Sequence, residues 1–370
     1  MTWNSLNFST SQSSVARIPF FQTVLDSIQP DLLVMQEIQN DAGANHFHEA
    51  VLEYSMEMAP FVDGYGSDNA LFYNPEKFQA IANLPIQTAL RDISQFILVH
   101  LNTGDTLRVF SVHLKASNGT ANRERRLSEV DSLRKVTDAL WPESHYMICG
   151  DFNFYGSTEP AYQRLLEADT PVGYFIDPIE MPGTWNNPHY AKHHTQSPRT
   201  RQFGGGAHGG MDDRFDLILF SPHFFEPGGT ITYEPESTWP VGNDGMHYND
   251  SINAMPNTSV SAEMANAIHY ASDHLPVIAE INFNNPVYVS TATVQDDIKI
   301  YPNPSPGRFT MELPTQFQSQ IIIMDALGRI VHEETAIDRH ALDLGEVEKG
   351  MYYARIINQS GEKVYRLVTY

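Results

Sequence analysis

At 370 residues, 41% of them hydrophobic, the chain suits one large domain and one small one, and disorder throughout is excluded. Lys plus Arg number 23 against 45 for Asp plus Glu, a formal net charge of −22. That balance excludes a passive nucleic-acid binder with a wide basic footprint, though not an enzyme that meets phosphate locally through a bound cation.

In chain order, "MTWNSLNF" reads as a strand from its second residue. Val15, Ile18, Phe21, Val24, Leu25 and Ile28 then follow at helical spacing, Pro30 closes the helix, and "DLLVMQEI" is a nearly all-apolar run ending near Glu37. Strand–helix–strand is the unit of a covered α/β sheet. Further strands are expected at "NALFY", "QFILVHL", "LRVFSVHLKA", "HYMICGDF", "RFDLILFS" and "LPVIAEINF", with a second helix over Thr120 to Leu140. Hairpin-like pairs alternating with helices predict an α/β class (mixed α+β), with two mixed sheets packed face to face and helices outside. Cys149, the single cysteine, excludes an intrachain disulfide and a cysteine-based zinc site, and its apolar surroundings mark it as a buried free thiol. No apolar stretch approaches the roughly 20 residues of a membrane helix, so no stable membrane insertion is expected.

From Asn284 the character changes. "NFNNPVYVSTATVQDD" is polar and contains proline, and "IYPNPSPGRFTMELP" opens a run of short strands broken by frequent turns. Domains are therefore expected over residues 1–284 and 298–370, with a linker over 285–297, the second domain being a small β-sandwich.

The chemistry is carried by polar residues that interrupt or end apolar strands: Asn4 and Asn7, Glu37, His113, Asp151 and Asn153, Asp216, and the pair Asp273–His274. A single strand-end Asp is ordinarily a turn or cap. Many strands each delivering an acid, amide or imidazole at one end point instead to a shared edge of the two sheets. Glu37, with Asn4 as an amide oxygen, offers hard ligands for Mg²⁺ or Ca²⁺. His113 and His274 suit proton transfer near neutral pH, and Asp216 is the candidate to fix the tautomer of His274. Asp151 is suited to orient or deprotonate a water and Asn153 to donate to a phosphate under attack, while Gly150 leaves room for that phosphate.

The ordered set "TWNSLNF", "LLVMQEI", "VFSVHLKA", "ICGDFN", "RFDLILFS" and "SDHLPV" resembles the endonuclease/exonuclease/phosphatase superfamily, of the deoxyribonuclease I type. The resemblance covers residues 2 to about 283 and implies a four-layer α/β sandwich and a divalent-cation hydrolase. It also implies the roles residue by residue: Asn4 and Glu37 at the metal, Asp273 as a second acidic metal-site or phosphate-site residue, Asp151 and Asn153 at water and phosphate, and His274 paired with Asp216. His113 is similar to the histidine of the deoxyribonuclease I and sphingomyelinase branches. One departure is Leu6, where many members carry an acid, with Asn7 as a compensating candidate. Mg²⁺ is the implied cofactor, with Ca²⁺ or Mn²⁺ as alternatives.

The stretch "AKHHTQSPRTRQFGGGAHGGMDDRFD" runs straight into the Asp216 strand and so belongs at the rim of the site. Arg199 and Arg201 in it read either as a cationic clamp on substrate phosphate or as surface arginines paired with Asp212 and Asp213. Arg91, ahead of a strand, is a further clamp candidate or a plain surface residue. Arg123, Arg125 and Arg126 read as a charged helix face.

"IYPNPSPGRFTMEL", "IIIMDALGRIV" and the last strands resemble the type A sorting domain of type IX secretion. That implies the secretion machinery as partner, release or display at the surface of a Bacteroidetes-type bacterium, and a leader peptide that this sequence lacks. The expected function is thus a secreted, metal-dependent phosphodiesterase, foremost a nuclease acting on DNA or RNA as a monomer. The alternatives are a phosphatase or sphingomyelinase/phospholipase C-like hydrolase, and a catalytically silent surface-binding protein.

Overall fold

A computed structural model describes residues 1–141, 143–202, 204–284, 298–313, 318–326, 328–345, 347–358 and 361–370. The expected linker, 285–297, lies outside these. The chain divides into two compact units, Met1–Ala139 with Glu143–Pro286, and Leu140–Pro142 with Val287–Tyr370.

The larger unit opens with β1 (Thr2–Phe8), a short helix α1 (Gln12–Val15), α2 (Ile18–Ile28) and β2 (Leu32–Ile38). Pro19 in the first turn restarts the helix, so the expected single helix is two. Next come α3 (Asp41–His46), β3 (Glu57–Met58), β4 (Asp68–Tyr73), β5 (Phe78–Ile86), β6 (Ile93–His100) and β7 (Thr106–His113). Helix α4 (Thr120–Thr137), β8 (His145–Asp151), α5 (Pro160–Leu166) and β9 (Asp216–Phe220) follow. The unit closes with β10 (Ile231–Tyr233), β11 (Trp239–Pro240), α6 (Ala262–Ala271), β12 (Val277–Ile278) and β13 (Ile281–Phe283).

One large sheet runs β11-β12-β1-β2-β4-β3 and the other β5-β6-β7-β8-β9, while β10 pairs with β13 in a small ribbon. Each large sheet contains one parallel pair, β1 with β2 and β7 with β8, joined by the crossovers through α2 and α4. Between the sheets, Val34 and Leu71 of the first pack in one core with Phe96, Val109, Cys149 and Ile218 of the second. Outside the first sheet, Trp3, Phe8, Met35 and Phe72 form a second core with Phe21 and Val24 of α2 and Ile268 of α6. Two inner sheets with helices outside give the four-layer α/β sandwich. Helix α4 departs from the expected charged face, because Arg126 is fully buried, paired with Glu159 and donating to the carbonyls of Lys115 (2.5 Å) and Ser117 (3.0 Å).

The smaller unit comprises β14 (Lys299–Tyr301), β15 (Arg308–Glu312), β16 (Ser319–Asp325), β17 (Ile330–Ala336), β18 (Arg339–Asp343), β19 (Gly350–Asn358) and β20 (Gly361–Thr369). Antiparallel sheets β14-β15-β18 and β17-β16-β19-β20 share a core of Phe309, Met311, Leu342, Ile321, Ile323, Ala354 and Ile356. The two-residue spacing of those apolar side chains is the period of a strand with one buried face.

Candidate active site

The second sheet sets three site residues in one row, since His113, Asp151 and Asp216 are successive register partners across β7, β8 and β9. His274, in the turn after α6, closes on that row. Its Nδ1 donates to Asp216 Oδ2 at 2.7 Å, and its Nε2 lies 3.6 Å from Asp151 Oδ2. The backbone fixes the ring, as Trp3 Nε1 donates to the His274 carbonyl at 2.8 Å and Ser272 Oγ donates to the Asn4 carbonyl at 2.6 Å.

The first sheet supplies Asn4 and Glu37. Asn4 Nδ2 bridges Glu37 Oε1 (3.0 Å) and Asp151 Oδ2 (3.1 Å), joining the carboxylates of the two sheets. His113 Nε2 stands between the same oxygens, 3.7 Å from Glu37 and 3.6 Å from Asp151. Left-handed backbone clusters here, with φ of 51° at Leu6, 50° at Asn7, 60° at Glu37 and 54° at Asn153. Such conformations cost non-glycine residues energy and persist where the surroundings impose them. At Glu37 the turn brings Oε2 onto the Asn7 N–H at 2.9 Å.

The charges are set by burial and by each other. Burial raises Asp151 to about 7 against the pull of His274, and Asp216 and Glu37 push the same way. For His274 burial acts downward, but Asp216 and then Asp151 outweigh it and hold the ring well above its ordinary value. Burial, with Arg91 and His274 nearby, holds His113 well below the usual value and therefore neutral.

Residues 1–274 match the Endonuclease/Exonuclease/phosphatase family, and residues 299–369 match a secretion system C-terminal sorting domain. The chain belongs to the Endonuclease/Exonuclease/phosphatase family. No curated protein matches. Among solved structures, D. rerio TDP2 complexed with single-strand DNA product superposes with TM-score 0.52 at 14% identity, over 76% of this chain and 97% of that one. An endonuclease/exonuclease/phosphatase from Bacteroides vulgatus gives TM-score 0.50 at 15% identity, over 76% and 97%. At such identities the likeness speaks for the fold. As a member of this family the protein is a hydrolase, and its sorting domain makes it a secreted or surface-held protein of a Bacteroidetes-type bacterium.

Endonuclease/Exonuclease/phosphatase enzymes generally use a divalent metal, and the donors here fit one. Glu37 is the carboxylate with access to the cleft, its side chain 16% exposed against 2% for Asp151. No closed group of three or more His, Cys, Asp or Glu side chains is poised to hold an ion among the described residues. One or two carboxylates suffice for a divalent ion that keeps waters and phosphate oxygens, so Glu37 would hold it.

Several sequence expectations change. Asn4 presents Nδ2 and not Oδ1 to the carboxylates, its Oδ1 accepting from the Leu6 N–H at 2.9 Å. Asp273 turns Oδ2 to the Ala207 N–H at 2.5 Å, so it ties down the glycine-rich loop. Arg199 is no phosphate clamp, being fully buried with Nε on the His269 carbonyl at 2.8 Å. Arg91 braces the strand end, donating to the carbonyls of His113 (2.9 Å) and Leu114 (3.0 Å), while Arg201 is exposed. Gly150 serves sheet pairing and not phosphate access, because a Cβ there would lie 2.1 Å from the Val112 carbonyl oxygen.

Sequence reasoning missed Gln36 and Gln196. Gln36 is fully buried and donates to Ser111 Oγ at 3.1 Å, linking the sheets beneath the site. A glutamine in an apolar strand, one residue before Glu37, was its only signal.

Proposed function

We propose that the protein is a secreted, divalent-metal-dependent phosphodiesterase acting on nucleic acid. The observation that carries this is the row Asp216–His274–Asp151, with 2.7 Å and 3.6 Å between successive partners, ending beside Asn153. Asp151, whose Oδ1 accepts from the Asn153 N–H at 3.1 Å, takes the proton of a water as that water's oxygen bonds to phosphorus. The bond from phosphorus to the opposite oxygen breaks, and that oxygen is protonated by solvent. Imidazolium His274, held by Asp216, and the Asn153 amide donate to phosphoryl oxygens as negative charge accumulates on them. Glu37 would hold the cation, which when bound supplies electrophilic stabilisation of the phosphate.

Nucleic acid is favoured over lipid because TDP2, of the same fold, is described with a DNA product, and because export brings the enzyme to extracellular polymer. No helix among the described residues is long and apolar enough to cross a membrane. The test is side-by-side hydrolysis of DNA, RNA, a lipid phosphodiester and a phosphomonoester, with and without EDTA. DNA or RNA cleavage abolished by EDTA, and by Asp151→Ala or His274→Ala, is expected. Preferential cleavage of the lipid or the monoester would overturn the substrate reading, and full activity of both variants would overturn the mechanism.

A further inference from the structure

Gln196 lies on the segment ahead of β9, beside His274, and backbone bonds hold it from two sides. Its carbonyl accepts from the N–H groups of Asp212 (3.0 Å) and Asp213 (3.2 Å), and it bridges to both Asp213 and His274. Neighbouring Thr195 accepts at Oγ1 from the N–H groups of Phe215 (3.0 Å) and Asp216 (3.1 Å) and at its carbonyl from Leu275 N–H (2.7 Å). The half-buried Gln196 side chain thus has a fixed root, and its carboxamide stands 2.6 Å from His274 Nε2. With Nδ1 engaged by Asp216, Nε2 is the ring nitrogen that meets Gln196 and faces Asp151.

A carboxamide carries two N–H donors and one acceptor oxygen. Against a neutral ring, one N–H donates to Nε2 and the other remains. Against a protonated ring, the amide turns so that Oε1 accepts from Nε2–H, and both N–H groups remain. In either state at least one amide N–H remains for an anionic oxygen that enters the cleft beside the ring. We infer that Gln196 is a further substrate-contacting residue of this cleft, donating to a phosphoryl oxygen alongside His274. This rests on the phosphodiesterase reading above.

The test compares Gln196→Ala, Gln196→Glu and Gln196→Asn in the full chain, with thermal unfolding as the control for folding. Hydrolysis of bis(p-nitrophenyl) phosphate and its competition by inorganic phosphate are the readouts. Loss of a hydrogen bond to a charged group predicts a fall in kcat/KM of about 10- to 100-fold for the alanine variant, with partial recovery by asparagine. The glutamate variant keeps the shape but places a carboxylate against phosphate, so it is expected to fall further and to weaken phosphate competition by more than about 10-fold. A folded alanine or glutamate variant within about 3-fold of wild type, or with unchanged phosphate competition, overturns the inference. Wild-type protein that neither cleaves the diester nor binds phosphate overturns the phosphodiesterase reading itself; an active wild type with indifferent Gln196 variants overturns the inference alone.

Discussion

His274 illustrates how one side chain is made to work by its neighbours. Asp216 fixes the ring through a 2.7 Å bond at Nδ1, so the other nitrogen faces the cleft. Asp216→Asn keeps the shape but removes the charge that holds the proton on the ring. We expect kcat to fall by about 10²- to 10³-fold with KM little changed, as for other losses of an orienting carboxylate; steady-state kinetics at saturating divalent cation checks it. Asp68 shows the opposite use of a buried carboxyl. It is 8% exposed, its Oδ2 is without a hydrogen-bond partner among the described residues, and burial raises it to about 6. A raised acid makes the folded state bind the proton more tightly, so stability is lost as pH rises from about 4 through about 6. Asp68→Asn retains an acceptor for the Gly64 N–H and turns donors toward the neighbouring aspartates. It is expected to be near neutral in effect at pH 4.5 and stabilising by about 1–2 kcal/mol at pH 8, read by thermal unfolding at both.

At the scale of elements, the site depends on β7 and β8 lying close enough to align His113 with Asp151. Gly150 permits this at φ 131°, where an added Cβ would strike the Val112 carbonyl. Gly150→Ala combines left-handed strain with overpacking and is expected to destabilise the unit by about 2–4 kcal/mol, measured by denaturant titration. Those strands were legible in the sequence because apolar runs such as "YMIC" and "LILF" lead into or follow a residue, Asp151 or Asp216, that is costly to bury without a partner. The convergence of Glu37, Asp151, Asp216 and His274 was legible for the same reason. Arg199 was not, because a loop arginine that satisfies backbone carbonyls looks, in sequence, like one awaiting phosphate. The orientation of the Asn4 amide was not legible, since only the local turn to Leu6 decides which end faces Glu37. Gln196 sits in a segment without periodicity, and its place beside His274 is set by backbone pairing that no spacing rule reports. Helix α6 escaped notice because "AEMANAIHYA" is short and rich in alanine.

For the whole molecule, the larger unit has its own cores, one between its sheets and one beneath its outer helices. The acidic surface then poses a problem for a polyanionic substrate: with a net charge of −22, long-range forces oppose the approach of nucleic acid. A basic nuclease loses affinity as salt rises, because released counterions favour the complex less. Here the sign reverses. At about 10 mM salt the repulsion reaches about 30 Å, and at about 150 mM about 8 Å, so added salt shortens the barrier while leaving contacts inside the cleft in place. At fixed saturating divalent cation, KM for DNA is therefore expected to fall severalfold between about 10 and 150 mM NaCl. The small monoanion bis(p-nitrophenyl) phosphate should change far less, which separates steering from chemistry. A KM for DNA that rises with salt would mean that a local cationic path, with exposed Arg201 as its first candidate, governs approach instead.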